Sequence, residues 1–275
     1  MKYGIYFAYW EKDWEADYQK HIENVAKLGF DILEIGCAPI EFYSESFMDE
    51  LRAAALDHHI RLTAGYGPPP HRNLSSSDPV IAEQAKKYFI DLMKRLHRMN
   101  ITSVGGGLNS YWPVDYAQPI DKERDWATAV KNVREVAKVA GDLGIDYLIE
   151  CLNRFEGYLT NTAEEGAQFC REVGLPNVRL LLDTFHMNIE EDSFTQAILT
   201  AGRLLGRLHV GEANRKVPGQ GRLPWAEIGQ ALKSIRYDGD VVMEPFVLQG
   251  GQVGKDIKIW RNLVASAGVE EMNRD

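Results

Sequence analysis

The sequence predicts an α/β protein that folds as a single (β/α)8 TIM barrel over residues 1–275. Short β-prone runs alternate with longer helical stretches along the whole chain, and there are eight such runs. Their starts lie 28 to 44 residues apart, a spacing typical of βα units. No linker, low-complexity tract or shift in composition marks a second domain, so we expect the 275 residues to form one unit.

The predicted strands are short and mostly apolar. They span residues 2–8, 31–36, 60–66, 101–106, 145–150, 177–183, 205–210 and 239–244. An open, doubly wound sheet is the alternative arrangement of such units. It is disfavoured because no GxGxxG turn follows the first strand, and because about five or six strands would suffice for it.

Helix signals separate the strands. Apolar side chains recur at helical spacing in residues 17–28 and predict one buried stripe. Asp78 followed by Pro79 predicts a helix start, and Thr162 with Glu165 predicts a capping box. Three helices are predicted to end just before a strand at a residue with a left-handed backbone conformation: Gly29, Asn100 and Gly144.

Composition and charge exclude several classes of protein. The formal net charge is −9, with 40 acidic and 31 basic residues, so we expect no nucleic-acid partner. No apolar run approaches the roughly 18 residues of a membrane span, and the N-terminus does not resemble a signal peptide. The three cysteines have no CxxC spacing and predict no disulfide framework, which favours a cytoplasmic protein: Cys37, Cys151 and Cys170.

Acidic and histidine side chains stand at the ends of four consecutive predicted strands. Glu150 closes the fifth strand, Asp183 the sixth, His209 the seventh and Glu244 the eighth. Chemistry in a barrel sits at the carboxyl ends of the strands, so these neighbouring side chains can converge on one point. Three carboxylates and one imidazole form a hard, oxygen-rich donor set. Such a set suits one divalent ion, Mn²⁺ or Co²⁺, with Mg²⁺ as the alternative.

Any one of these four residues, taken alone, is better explained as a cap or as a solvated loop start. The interpretation changes because all four fall on adjacent strands, after apolar runs such as VRLLL and DVVM. The set as a whole therefore predicts a metal site.

Further polar residues follow the same strand ends. Glu156 lies in the loop after the fifth strand, His186 after the sixth and Arg215 after the seventh. They suit hydrogen bonding to sugar hydroxyls and a carbonyl, although a salt bridge, a cap or a solvated Arg explains each about equally well. Aromatic residues in or after strands one, four and eight predict the walls of a sugar pocket, although core packing is their commoner role: Tyr6, Trp14, Trp112 and Phe246.

Other reactive residue types predict no second site. No serine or cysteine lies in a nucleophile elbow, and no P-loop is present. The remaining histidines fall in predicted helices or loops and predict surface or packing roles: His21, His58, His59, His71 and His97.

Long, specific segments of the chain resemble the ketose 3-epimerase family, most closely its D-psicose (D-allulose) 3-epimerases, which are related to D-tagatose 3-epimerase. The resemblance extends over essentially the whole chain. The segments that carry it are GIYFAYWEKDWEADY, KLGFDILEI, LNRFEGYLTNTAEEG, LLDTFHMNIEED, GEANRKVPGQGRLPW and VVMEPF.

The resemblance implies roles for the residues selected above. The four strand-end residues would be metal ligands, and Glu150 and Glu244 would also be the catalytic acid–base pair. Tyr66 departs from the GHGP loop common in the family, and Gly107, a substrate-contact position, stands where relatives often carry Ala. The family usually forms dimers or tetramers, so we expect a homodimer or homotetramer. The remaining substrate positions would be Glu156, His186 and Arg215, with Tyr6, Trp112 and Phe246 as the pocket wall.

Together these observations predict metal-dependent epimerisation at C3 of a free ketohexose, with D-fructose and D-psicose as one pair and D-tagatose and D-sorbose as another. Inversion of a carbon beside a carbonyl requires two acid–base groups on opposite faces, and a cation would polarise the carbonyl. The first alternative is an aldose–ketose isomerase or related sugar lyase on a similar barrel. A metal-dependent DNA-repair nuclease is disfavoured by the net charge of −9. A non-catalytic sugar-binding protein is disfavoured because binding alone does not require two opposed carboxylates.

Overall fold

The eight β-prone runs form the strands of a closed parallel barrel. The computed structural model describes residues 1–11 and 16–246. Each strand pairs with the next in chain order, and the eighth closes the barrel by pairing with the first. The strands are β1 (Lys2–Tyr6), β2 (Ile32–Gly36), β3 (Arg61–Tyr66), β4 (Ser103–Gly106), β5 (Asp146–Glu150), β6 (Val178–Asp183), β7 (Leu205–Val210) and β8 (Asp240–Met243).

Helices lie between consecutive strands and pack their apolar faces on the barrel. Within the described residues they are α1 (Tyr18–Leu28), α2 (Glu45–Asp57), α3 (Pro79–Arg98), α4 (Lys122–Asp142), α5 (Ala163–Val173), α6 (Thr184–Glu190), α7 (Phe194–Ala201) and α8 (Trp225–Ser234). Short 3-10 helices span Phe7–Tyr9, Ala38–Phe42, Pro70–Arg72 and Gly202–Leu204. The predicted fold class is confirmed. No described helix is long and apolar enough to cross a membrane.

The predicted helix ends form as expected, with one shift. Asp78 accepts a hydrogen bond from the Val80 amide at 2.8 Å, and Thr162 accepts one from the Glu165 amide at 3.2 Å. The Glu165 carboxylate reaches back to the amide of Asn161, one residue before the expected partner. The three residues predicted to end helices have positive φ angles of 78°, 60° and 72°: Gly29, Asn100 and Gly144.

The first strand is shorter than predicted. It ends at Tyr6 rather than at residue 8, because the Trp10 amide bonds to the Phe7 carbonyl at 3.1 Å and turns the chain into a 3-10 helix. Tyr6 therefore stands at the carboxyl end of β1, the face of the barrel on which chemistry is expected. Trp14 lies outside the described residues.

The barrel interior contains a buried charged layer below that face. Arg207 on β7 and Glu34 on β2 are fully buried, and their side chains are 2.6 Å apart. Glu34 also accepts a hydrogen bond from Thr63 on β3, and Arg207 donates one to Ser103 on β4. Buried charges require partners of this kind, so the layer connects four strands across the barrel.

Candidate active site

The four strand-end residues converge at the carboxyl end of the barrel. Glu150 and Asp183 are the last residues of β5 and β6, His209 is one residue before the end of β7, and Glu244 directly follows β8. Their potential ligand atoms all lie within 4.8 Å of one another. The side chains are almost entirely enclosed, because the most exposed of them, Glu244, is only 12% exposed.

His209 shows how the site is prepared for a cation. Its Nε2 lies 3.0 Å from the Glu34 carboxylate, so in the neutral ring this nitrogen carries the hydrogen. Its Nδ1 is buried, has no hydrogen-bond partner among the described residues, and lies 3.5 Å from Glu244 Oε1. Burial lowers the pKa of His209, but the Glu34 and Glu244 carboxylates outweigh it and raise that pKa well above its usual range, so the cluster favours a positive charge. With a cation in place of that proton, the Nδ1 lone pair and the three carboxylates would form a donor set that fits a hard divalent ion.

Glu34 is a residue of the site that the sequence analysis did not select. Burial raises the pKa of a carboxyl group, but the charges of Arg207 and His209 and the hydrogen bonds outweigh it and hold the pKa of Glu34 at about 2. Glu34 is therefore ionised, and its carboxylate orients the His209 ring. The available signal was a single acidic residue inside the otherwise apolar strand ILEIG.

The two glutamates of the cluster have opposite electrostatic surroundings. Burial, and next the carboxylate of Glu244, raise the pKa of Glu150 well above its usual range. Burial acts on Glu244 in the same direction, but His209 and Arg215 lower its pKa to about 2. The surrounding protein groups thus favour a protonated Glu150 beside an ionised Glu244.

Arg215 lies against the cluster from the loop after β7. Its Nη1 donates to Asp183 at 2.8 Å and to Glu244 at 3.1 Å. Its guanidinium lies between two aromatic rings, 3.8 Å from the centre of Phe185 and 5.0 Å from that of Phe246. The backbone at Arg215 has a φ of 57°, a conformation that non-glycine residues adopt at some cost. The loop therefore holds this side chain in one place.

Glu212 anchors that loop and was also missed from the sequence. Its fully buried carboxylate accepts hydrogen bonds from the Gly219 and Leu223 amides and from the Trp225 indole, at 2.7, 3.1 and 2.7 Å. These three donors come from different parts of residues 211–225. Nothing in the local pattern distinguishes Glu212 from a solvated loop acid, because its partners become neighbours only when the loop closes.

Glu156 and His186 also lie near the cluster, and His186 Nε2 is 3.4 Å from an Arg215 nitrogen. One Glu156 oxygen accepts from the Trp112 indole at 2.9 Å. The His186 Nε2 lies 3.7 Å from both Glu150 and Asp183. Burial lowers the pKa of His186, so its ring is neutral near pH 7.

A cavity of about 410 Å³ opens directly onto the cluster. This volume falls within the range of small-molecule sites. All seven residues predicted to contact substrate line it: Tyr6, Gly107, Trp112, Glu156, His186, Arg215 and Phe246. Glu150, His209 and Glu244 line it as well, and so do residues that sequence reasoning did not place there, among them Leu152 and Phe185.

Small residues let the cavity walls approach closely. A Cβ on Gly67 would lie 2.9 Å from the Trp112 ring, so a larger residue there would displace the indole. A Cβ on Gly107 would lie 3.2 Å from Leu152 Cδ1, which makes this part of the wall tight but adjustable. The Tyr66 hydroxyl accepts from Arg72 at 3.3 Å. Two positions that depart from the family pattern, Tyr66 and Gly107, therefore both border the cavity.

Comparison with known proteins identifies the family. The family model of the xylose isomerase-like TIM barrels matches residues 22–263. The chain is 56% identical over 275 residues to a D-psicose 3-epimerase of Ruminiclostridium cellulolyticum, covering 100% of this chain and 94% of the relative. It is 51% identical to a D-psicose 3-epimerase of Agrobacterium fabrum, covering 100% and 95%. The chain belongs to the ketose 3-epimerase family.

Solved structures agree with this assignment. A crystal structure of D-psicose 3-epimerase with D-tagatose, from Clostridium cellulolyticum H10, is similar with a TM-score of 0.89 and 55% identity, over 98% of this chain and 96% of that one. The resemblance predicted from the sequence is therefore confirmed, and so is the class of enzyme, a carbohydrate epimerase among the isomerases. The three cysteines are free and buried, as expected.

Proposed function

We propose that this enzyme inverts C3 of a free ketohexose, with D-fructose and D-psicose as its pair, and that D-tagatose and D-sorbose are a further pair. The observation that carries the proposal is the placement of Glu150 and Glu244 at the two ends of the four-residue cluster, both facing one sugar-sized cavity. Relatives named D-psicose 3-epimerase, 51% to 56% identical over the whole chain, support the choice of substrate.

The cluster would hold a divalent cation, for which Mn²⁺ or Co²⁺ is the expected ion and Mg²⁺ the alternative. The residues that would hold it are Glu150, Asp183, His209 and Glu244. When bound, the cation supplies Lewis-acid polarisation of the substrate carbonyl and stabilises the negative charge of the reaction, a contribution of several kcal/mol.

The two glutamates would carry the proton transfers. One takes the C3 proton from one face of the sugar, and the other returns a proton to C3 on the opposite face. A bound cation would keep the glutamate that acts as base ionised near neutrality, because a nearby positive charge lowers the pKa of a carboxyl group. In the reverse direction the two residues exchange roles.

The surrounding side chains would bind and orient the sugar. His186 and Arg215 would donate hydrogen bonds to O2, where negative charge develops as C3 loses its proton. Glu156 would accept from a sugar hydroxyl. Trp112 and Phe246 would cover the sugar and exclude water from the reacting carbon.

The test is to incubate the purified protein and Mn²⁺ with each of the four ketohexoses and to resolve the C3 epimers by chromatography. In D₂O, deuterium should enter at C3, and the double variant Glu150→Gln/Glu244→Gln is the matched control that should neither form the epimer nor take up deuterium. Deuterium at C1 or C2, together with aldose formation, would instead identify the aldose–ketose isomerase. Absence of any exchange or product with all four sugars would contradict the proposal.

A further inference from the structure

Asn153 lies between His186 and Glu156 and contacts both side chains. It is only 1% exposed, in the loop after β5. Its Nδ2 donates to Glu156 Oε1 at 2.9 Å and lies 2.7 Å from His186 Nδ1. Its backbone amide also points at His186 Nδ1, at 3.2 Å.

The orientation of this amide follows from backbone groups, which cannot exchange donor for acceptor. The Phe155 backbone N–H donates to Asn153 Oδ1 at 2.9 Å, so Oδ1 faces Phe155 and Nδ2 faces His186 and Glu156. Both Nδ2 hydrogens then have acceptors. In the exchanged orientation Nδ2 would point at the Phe155 backbone N–H, and two donors would face each other, which is unfavourable.

The tautomer of His186 follows from the same contacts. Two donors, the Asn153 side chain and the Asn153 backbone amide, converge on Nδ1, so this nitrogen must accept. A ring nitrogen that accepts carries no hydrogen, so the ring is neutral and its one hydrogen sits on Nε2. Nε2 faces the cavity, and the Arg215 donor near it, at 3.4 Å, is farther away than either donor at Nδ1, at 2.7 and 3.2 Å.

We propose that Asn153 is a positioning residue that holds His186 as a neutral imidazole with its hydrogen on Nε2. His186 then serves as a hydrogen-bond donor to the substrate oxygen that gains negative charge, and it presents no lone pair to the C3 proton. Proton transfer is thereby left to the two glutamates. This inference rests on the proposed function for its catalytic meaning, but the tautomer itself can be measured without any substrate.

The variants Asn153→Ala and Asn153→Asp separate this role from a packing role. Asn153→Ala removes one donor and leaves the backbone donor, so the hydrogen should stay on Nε2. Asn153→Asp keeps the size of the side chain but places an acceptor beside Nδ1, so the ring should carry a hydrogen on Nδ1. We expect kcat to fall about 10²-fold or more in Asn153→Asp, and less in Asn153→Ala, with KM changed little in both.

Asn161→Asp is the matched control, because it introduces the same charge in the same loop. Asn161 donates to the Leu152 and Gly157 carbonyls and has no contact with His186 among its hydrogen bonds. If Asn153 only packs the loop, the isosteric Asn153→Asp should be milder than Asn153→Ala and should resemble Asn161→Asp.

The tautomer is read directly by two-bond ¹H–¹⁵N NMR of protein labelled with ¹⁵N-histidine and loaded with diamagnetic Mg²⁺, with His186 assigned from the signals that vanish in His186→Gln. We expect the hydrogen on Nε2 in the parent protein, Asn153→Ala and Asn161→Asp, and a hydrogen on Nδ1 in Asn153→Asp. A hydrogen on Nδ1 in the parent protein, or an unchanged His186 spectrum in Asn153→Asp, overturns the inference. If the tautomers are as expected but no ketohexose is epimerised, the proposed function fails and the assignment of Asn153 stands.

Discussion

At the scale of single residues, Glu150 and Glu244 carry the proposed chemistry, and replacing either by Gln keeps the size of the side chain and one coordinating oxygen. Because the amide cannot take up the C3 proton, we expect each substitution to lower kcat by about 10²–10⁴-fold. Circular dichroism and the unfolding midpoint should remain close to those of the parent protein. Full epimerase activity in either variant would contradict the assignment.

Proton exchange tests whether the two glutamates act on opposite faces. With one glutamate disabled, the other can still exchange the C3 proton of the epimer whose C–H bond faces it. NMR in D₂O should therefore show deuterium entering one epimer in Glu150→Gln and the other epimer in Glu244→Gln. Labelling of the same epimer by both variants would show that the two carboxylates do not oppose each other.

Arg215 offers a second prediction at this scale, because it touches two proposed ligands without belonging to the ligand set. Its guanidinium bonds to Asp183 and Glu244, so Arg215→Ala removes a positive charge from beside the cation site. We expect kcat to fall about 10²–10³-fold, as for loss of one oxyanion donor, while metal content stays at least as high. Glu156→Gln should likewise impair turnover and leave the metal in place.

Elemental analysis of dialysed protein, beside initial rates, checks this pair of variants. The exposed Arg222, in the same loop, provides the matched control as Arg222→Ala. Loss of the metal in Arg215→Ala or Glu156→Gln would show that the division between ligands and substrate contacts is wrong.

At the scale of elements, the buried contact of β7 with β2 determines how rigidly His209 is held. Arg207→Met should leave Glu34 buried without its cationic partner, which costs about 3–5 kcal/mol of unfolding free energy. Arg203→Met, at an exposed position shortly before β7, should change the unfolding free energy by no more than about 0.5 kcal/mol. Urea unfolding followed by circular dichroism measures both. Equal stability of the two variants would mean that the barrel tolerates a buried Glu34 without Arg207.

The strands and helices were largely predictable from the sequence. Where a predicted boundary was right or wrong depends on whether the contacts that define it are local in the chain. Helix caps such as Asp78 formed as expected, since the cap and the amide it binds are two residues apart in the chain. β1 was predicted to end at residue 8 but ends at Tyr6. The residues that follow are apolar and resemble a strand, but the hydrogen bond from the Trp10 amide to the Phe7 carbonyl makes them a 3-10 turn. Apolar composition alone does not locate the point where a strand stops.

At the scale of the whole molecule, removal of the metal should affect activity and stability together. EDTA-treated protein should be inactive, and Mn²⁺ or Co²⁺ should restore turnover. A cation that binds only the folded protein adds about 2.7 kcal/mol of stability at a concentration 100 times its Kd, so the melting temperature should rise on reloading. Metal-free protein, verified by elemental analysis, that retains full activity would refute the metal requirement.

Assembly remains a prediction at this scale. We expect a homodimer or homotetramer, with apolar helix faces of the barrel as contacts, and exposed loop aromatics offer a further apolar surface. Among the described residues, Phe155 is 72% exposed and Tyr116 is 58% exposed, and both lie in loops at the carboxyl end of the strands. Light scattering at micromolar concentration should give a multiple of the 31.1 kDa chain mass, and Phe155→Asp should lower it if these loops form the contact. A monomer mass for the parent protein would contradict the expectation.

The order of strands and helices, and with it the position of each strand end, was determined by the sequence. Strand and helix patterns repeat over a few residues, and in a (β/α)8 barrel the chain order is also the spatial order. Four ligand-type residues at consecutive strand ends are therefore predicted from the sequence alone to lie side by side. The resemblance of long segments to one family added the assignment of roles.

Only the tertiary structure decided which groups support that site. Glu34 and His209 are 175 positions apart and meet because the barrel closes and both side chains point inward. Asn153 sets the orientation of His186 across 33 positions, and Glu212 binds three donors brought together by one loop. Such contacts depend on where side chains from separate strands and loops point. The pattern of residues along the chain does not contain this information. For that reason the sequence revealed the residues that would react, while the folded structure revealed those that hold them in place.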